Sequence, residues 1–183
     1  AGSDGDGAGH RDPRWAAVYR SFDVLSPWTV GRFRDPKSAD DFYDTVVAPD
    51  ITETRRLGID YLPVVFPGFS WHNLKGKPPF NEISRRGGRF YWRQVKNAVH
   101  LGSTMLYGAM FDEVDEGTAM FKLTETARAA PVETRFLTLD ADGEAVPKDW
   151  YLRLAGEAQR VLRGAPLTQQ DLPFALPQPR RTP

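Results

Sequence analysis

The chain has 183 residues, 40% hydrophobic and 26% charged, which permits one domain with a sizeable core and argues against wholesale disorder. Lys+Arg and Asp+Glu both number 24, so no excess positive charge argues for nucleic acid or an anionic membrane as partner. Cysteine is absent, which excludes disulfides and thiolate metal sites but leaves the redox compartment open, and there is no apolar run of about eighteen residues to span a bilayer.

In chain order, residues 1–20 read as a loop or a truncated segment. Ala1 to His10 is rich in Gly, Asp, Ser and Ala, lacks the basic and apolar regions of a signal peptide, and contains no initiator Met. A first strand is predicted over Phe22–Ser26, stopped by Pro27. Ser38-Ala39-Asp40-Asp41 then resembles a helix-capping signal. Phe42, Val46 and Val47 fall on one helical face, followed by Ile51 and Leu57. Pro49 should kink or restart this helix, and Gly58 should end it. A second strand, Tyr61–Phe66, is stopped by Pro67-Gly68; Pro63 within it implies an edge, a bulge or a strand start. A helix follows over roughly Gly88 to Leu101, with Tyr91, Val95 and Ala98 on one face and Gly102 after it. The third strand is Met105–Phe111. Arg135–Glu144 reads as a short hairpin with an Asp-Gly turn. A last helix, Asp149 to Arg163, carries Tyr151, Leu154, Ala158, Val161 and Leu162 on its apolar stripe. The Pro-rich tail, 165–183, should lie extended on the surface.

All three strand runs are nearly continuously apolar, as in a parallel sheet covered on both faces. The alternation of strand and helix predicts an α/β chain of βαβ units. A complete (β/α)8 barrel needs roughly 250 residues, so three or four strands make about half of one. The alternatives are a fragment, or an open sheet smaller than a barrel.

Chemistry-bearing residues cluster after the predicted strands, where parallel α/β proteins gather their sites. Phe111-Asp112-Glu113-Val114-Asp115-Glu116-Gly117-Thr118 follows the third strand. Glu113 and Glu116 can face one pocket if the chain turns, and Gly117 permits the turn. Glycoside hydrolysis commonly needs one protonated and one ionised carboxyl group, and close carboxylates push each other's pKa values apart. The competing readings are a solvated acidic loop and, with less support, a divalent-cation site. After the second strand, Phe69 and Trp71 could stack on a sugar face while His72 and Asn73 bond hydroxyls; a satisfied loop histidine beside core aromatics is the alternative. Trp28 and Arg32 follow the first strand and could line the same mouth, or pack beneath the next helix. Arg85, Arg86 and Arg89 are expected to be solvated, with one of them holding a carboxylate.

Three stretches occur in the order and spacing of glycoside hydrolase family 99: Phe66-Pro67-Gly68-Phe69, Arg86-Gly87-Gly88-Arg89-Phe90-Tyr91, and Phe111 to Thr118. Over roughly Ser21 to Gly164 the chain resembles the bacterial family 71/99-like proteins often labelled xylosidase/arabinosidase, related to the endo-α-mannosidases and endo-α-mannanases. The resemblance implies a (β/α)8 TIM-barrel fold, of which residues 21–164 would supply the C-terminal half or so, and retaining cleavage of a glycosidic bond in a polysaccharide or oligosaccharide. It implies Glu113 as base on the sugar's 2-hydroxyl, giving a 1,2-anhydro sugar, and Glu116 as the acid and later the base toward water. Tyr91 matches an aromatic of the family without a catalytic role. Val114-Asp115 and Ala119 depart from the Trp-His and Gln of the mannosidases, so mannan specificity is not implied.

The expected partner is a carbohydrate, with Trp28, Phe69, Trp71, His72 and Asn73 as sugar-binding candidates. No cofactor or metal is required, and neither nucleic acid nor membrane is expected. A bacterial enzyme of this kind would be expected in the periplasm or secreted. A non-catalytic carbohydrate-binding module and a structural domain derived from a barrel are the rival functions.

Overall fold

A computed structural model of the chain describes residues 13–76, 79–131, 133 and 135–177. The elements are α1 (Ala16–Tyr19), β1 (Val24–Leu25), α2 (Pro36–Phe42), a π turn (Tyr43–Val47), α3 (Ala48–Leu57), β2 (Asp60–Tyr61), β3 (Val64–Val65), α4 (His72–Lys75), α5 (Arg89–His100), β4 (Tyr107–Gly108) and α6 (Trp150–Leu162). None of the helices is long and apolar enough to cross a membrane among the described residues.

The expected (β/α)8 barrel, or half of one, is not what the described residues form. β1 pairs only with β2 and β3 only with β4, in two separate two-stranded parallel sheets. Closure into a barrel requires every strand to be bonded along both edges. Here β1 and β4 each have one bonded neighbour, and the strands expose Val24 and Tyr107. Continuous apolar runs had suggested strands buried on both faces, and that is true only of β3. Its adjacent residues Val64 and Val65 point into different core clusters, as strand alternation requires.

The hydrogen bonds of residues 60–66 explain the split. Even-numbered residues turn to one side, where Asp60 and Leu62 donate to the carbonyls of Asp23 and Leu25, both at 2.9 Å. Odd-numbered residues turn to the other, where Pro63 and Val65 accept from Tyr107 and Ala109, also at 2.9 Å. Pro63 has no N–H to give and stands immediately before β3. β1 ends at Leu25, and side chains then replace it along the same edge. Ser26 Oγ donates to the Leu62 carbonyl at 3.0 Å and Thr29 Oγ1 to that of Val64 at 2.8 Å. Gln94, fully buried on α5, completes the series. Its amide accepts from Phe66 N–H at 3.1 Å and donates to the Phe66 carbonyl at 2.8 Å.

α2 starts one turn earlier than the expected capping signal. Asp35 caps it by accepting from Ser38 N–H at 2.8 Å, Ser38 Oγ accepts from Asp35 N–H at 3.0 Å, and Pro36 occupies the first turn. Pro49 does not break the helix that follows. The π turn at Tyr43–Val47 lies just upstream, where a widened turn accommodates the missing N–H and the clash of the ring with the carbonyl four residues back. That turn also rephases the apolar face. Tyr43, Val47 and Ile51 are buried, whereas Val46, expected inside, is exposed. Gly58, at φ 71°, ends α3.

α5 separates two core clusters. Phe90 and Ala98 face Phe33, Tyr43, Phe66, Phe69 and Ile83, while Tyr91, Trp92 and Val95 face α6. Trp150 of α6 donates to the Gly87 carbonyl at 2.8 Å. Gly88 holds φ 96°, which L side chains rarely adopt, and a Cβ there would also crowd Leu154 Cδ1 at 2.5 Å and Trp150 Nε1 at 3.0 Å. The expected hairpin at 135–144 is instead a 3-10 turn over Leu139–Asp142, with Gly143 closing it at φ 77°. Leu139 is buried there, and this apolar anchor favours a compact turn over paired strands. Residues 178–183 of the tail lie outside the described residues, and residues 165–177 do not simply lie on the surface. Leu172 is buried, and Phe174 meets Trp150 edge-on with centroids 4.9 Å apart.

Gln94→Met keeps the volume of the side chain but leaves the buried N–H and C=O of Phe66 unpaired. Urea unfolding should show a loss of about 2–4 kcal/mol, with the m value unchanged.

Candidate active site

β4 delivers the chain into a closed loop. Met110 N–H donates to the Thr118 carbonyl at 3.2 Å, and Met120 N–H returns to that of Met110 at 3.0 Å. Within it the Glu113 carbonyl accepts from the N–H groups of Thr118 at 3.2 Å and Ala119 at 3.0 Å, and from Thr118 Oγ1 at 3.4 Å. Gly117 N–H closes a turn onto the Val114 carbonyl at 3.2 Å. Gly117 holds φ 66°, and a Cβ there would come within 3.1 Å of Leu137 and 3.3 Å of Ser70. Glycine is therefore favoured by the conformation and by the tight space together. Gly117, Thr118, Ala119 and Met120 are buried, while Glu113 to Glu116 remain half-buried. The acidic stretch is thus an anchored loop with its carboxylates at the margin.

Two neighbours hold the loop from below. Ser70 N–H donates to the Glu116 carbonyl at 2.8 Å. Arg85 Nη2 donates to the carbonyls of Gly117 and Ala119, both at 2.8 Å. Arg85 is 3% exposed and lies over the ring of Tyr151 at 4.7 Å; it is not the solvated residue expected of it. Gly68 leaves room for it, since a Cβ there would stand 2.6 Å from Arg85 Cγ. Of the other two arginines, Arg89 holds Glu144 at 2.6 Å and Arg86 is exposed.

Burial of its carboxyl raises the pKa of Glu116, the charges of Glu113 and Asp115 raise it further, and Lys75 opposes them. Glu116 therefore senses the charge of Glu113. Lys75 Nζ also lies 4.1 Å from the centre of the Trp71 ring, which brings Trp71 into the same neighbourhood. Trp71 N–H donates to Glu82 at 2.8 Å. Phe69 is 5% exposed, bridges antiparallel to Ile83, and meets Trp71 edge-on at 4.8 Å. His72 sets its ring edge-on to Phe80 at 5.9 Å. Asn73 donates its amide to the Arg135 carbonyl at 2.8 Å. Trp28 belongs to another group: it is 50% exposed and pairs with Tyr107 at 6.3 Å.

A cavity of about 400 Å³, lined by Pro36, Arg86, Arg89, Arg93, Lys96 and Asp171, lies apart from the glutamates. Its cations are largely spent on the fold. Arg93 forks onto Asp40 at 2.6 and 2.7 Å, and Lys96 donates to the carbonyls of Gln169 and Gln170 at 3.1 and 3.5 Å. No cluster of three or more His, Asp or Glu side chains suited to a metal ion occurs among the described residues.

No family model matches the chain, and no curated protein does. Among solved structures, the chain is similar to the GH99 endo-alpha-mannosidase from Bacteroides thetaiotaomicron. One such structure, a complex with bis-tris-propane, gives a TM-score of 0.53 at 16% identity, over 69% of this chain and 36% of that one. A second gives 0.56 at 17% identity, over 69% of this chain and 34% of that one. The likeness is one of fold, and the chain spans about a third of the length of the structures it matches.

Glu116 binds its proton more tightly folded than unfolded. The stability this contributes is present at low pH and is lost as pH rises from its ordinary value of 4.5 through the raised folded value. Glu116→Gln removes the titration. Urea midpoints measured from pH 3 to 8 should diverge in favour of the variant as pH rises through that window. A constant difference across the range would contradict the shift.

Proposed function

We propose that this chain carries the acid and base of a glycoside hydrolase acting on a polysaccharide or oligosaccharide. The observation that carries the reading is the raised proton affinity of Glu116 in a loop it shares with Glu113. Glu116 is pushed toward its protonated form by burial and by Glu113 and Asp115, as a general acid requires, and it sits in a loop whose backbone is bonded on several sides. The fold likeness to an endo-alpha-mannosidase adds support.

In this reading Glu113 takes the proton of the sugar's 2-hydroxyl as that oxygen attacks the anomeric carbon. The bond to the leaving oxygen breaks, and that oxygen takes the proton of Glu116. A 1,2-anhydro sugar results. Glu116 then accepts a proton from water as the water attacks the anomeric carbon, and Glu113 returns its proton to the 2-oxygen. Two displacements at one carbon retain its configuration. Trp71, His72 and Asn73 are the proposed sugar contacts, with Phe69 backing Trp71; Trp28 stands apart, beside Tyr107.

The test is turnover of α-linked mannans, arabinans and xylans by the wild type, Glu113→Gln and Glu116→Gln. Each variant should lose about 10²- to 10⁴-fold, and wild-type activity should fall on the alkaline side as Glu116 loses its proton. Unchanged turnover in both variants would overturn the assigned roles. A non-catalytic carbohydrate-binding function is the second reading, favoured by the exposed pair Trp28 and Tyr107. It predicts glycan binding that survives both substitutions, without hydrolysis by any form.

A further inference from the structure

We infer that Arg85 is the positioning residue of the glutamate loop, fixing through one nitrogen where Glu113 and Glu116 stand relative to each other. The catalytic meaning of this role rests on the glycosidase reading; the positioning itself does not.

The argument follows the peptide groups. Arg85 Nη2 holds the carbonyls of Gly117 and Ala119. The peptide whose carbonyl is Gly117's presents the N–H of Thr118 to the Glu113 carbonyl, and Ala119 adds its own N–H to the same oxygen. Both backbone donors to Glu113 therefore come from the short segment that this nitrogen grips. Glu116 directly precedes Gly117, and its carbonyl is held by Ser70. With Gly117 pinned on one side and Ser70 on the other, the backbone of Glu116 has little freedom to swing.

A packing role does not account for the charge. A guanidinium so buried loses hydration that carbonyls restore only in part. Arg85 Nε and Nη1 form no well-directed hydrogen bond. Asp142 is within electrostatic reach but spends Oδ1 on Asn81 at 2.7 Å and Ser84 at 2.6 Å. Methionine would fill the space without the desolvation. What methionine lacks is a donor that can hold two carbonyls at once.

The test uses Arg85→Met and Arg85→Lys in the full chain, with folding checked by circular dichroism. In Arg85→Met the amides of Thr118 and Ala119 should exchange about 10- to 100-fold faster, the loss of a charged hydrogen bond. The Glu116 carboxyl, followed by carbon-13 NMR titration, should move back toward 4.5 as the loosened loop lets water in. Arg85→Lys, with a point charge in place of the fork, should fall between. Turnover should drop about 10²-fold through kcat, with KM little changed. Wild-type exchange and an unchanged Glu116 midpoint in folded Arg85→Met would overturn the inference. If that variant does not fold, the same two results in Arg85→Lys would overturn it. Failure of the glycosidase reading registers separately, as full turnover by Glu116→Gln, and leaves the exchange and titration results standing.

Discussion

The structure depends on how one edge of the segment 60–66 is kept bonded after β1 runs out. A buried strand edge without partners is costly, and β1 supplies only two residues of pairing. Ser26, Thr29 and Gln94 continue the edge with side chains. Gln94 is the most consequential of them because it offers an acceptor and a donor together, as a passing strand would. It also fastens α5 to the end of β3, so the same amide sets the spacing of the two core clusters. The loop that carries Ser70, Trp71 and Arg85 starts from this fixed point.

The glutamate loop draws on separate parts of the chain. β4 delivers it, Ser70 and Arg85 grip its backbone, and Tyr151 of α6 covers the arginine. Nearly all the anchoring falls on backbone atoms. The carboxyl group of Glu116 is left to be shaped by burial and by the charges of Glu113 and Asp115, which raise its proton affinity. This division suits chemistry that needs fixed position and adjustable protonation.

Much of the helical framework was legible in the sequence. The bounds of α5 and α6 lie within about one residue of those expected, because apolar periodicity and the terminal glycines 102 and 164 act locally. Pro63 marked the start of β3 for an equally local reason. The closed barrel was not legible as an error, because an apolar run records burial and not which edge is bonded. Val46 left the buried face because a π turn changes the helical phase without any composition signal. The loop with Glu113 and Glu116 stood out by its place after a strand. Arg85 did not: one arginine among three within five residues looks solvated, and its burial depends on Tyr151, 66 residues further along. Gly68, two residues past Phe66, was the available hint that something large passes close by.

The packed tail changes how the polypeptide can be divided. Leu172 and Phe174 cover the Trp150 side of α6, and the carbonyls of Gln169 and Gln170 receive the ammonium of Lys96. Residues 165–177 are thus a strap lashed across two helices, despite their proline-rich look. A protease cutting just past α6 would remove side chains from the core and strip a buried cation of its partners. The smallest unit that keeps this core intact extends beyond Phe174, and a domain boundary drawn where the last helix ends would run through the hydrophobic interior.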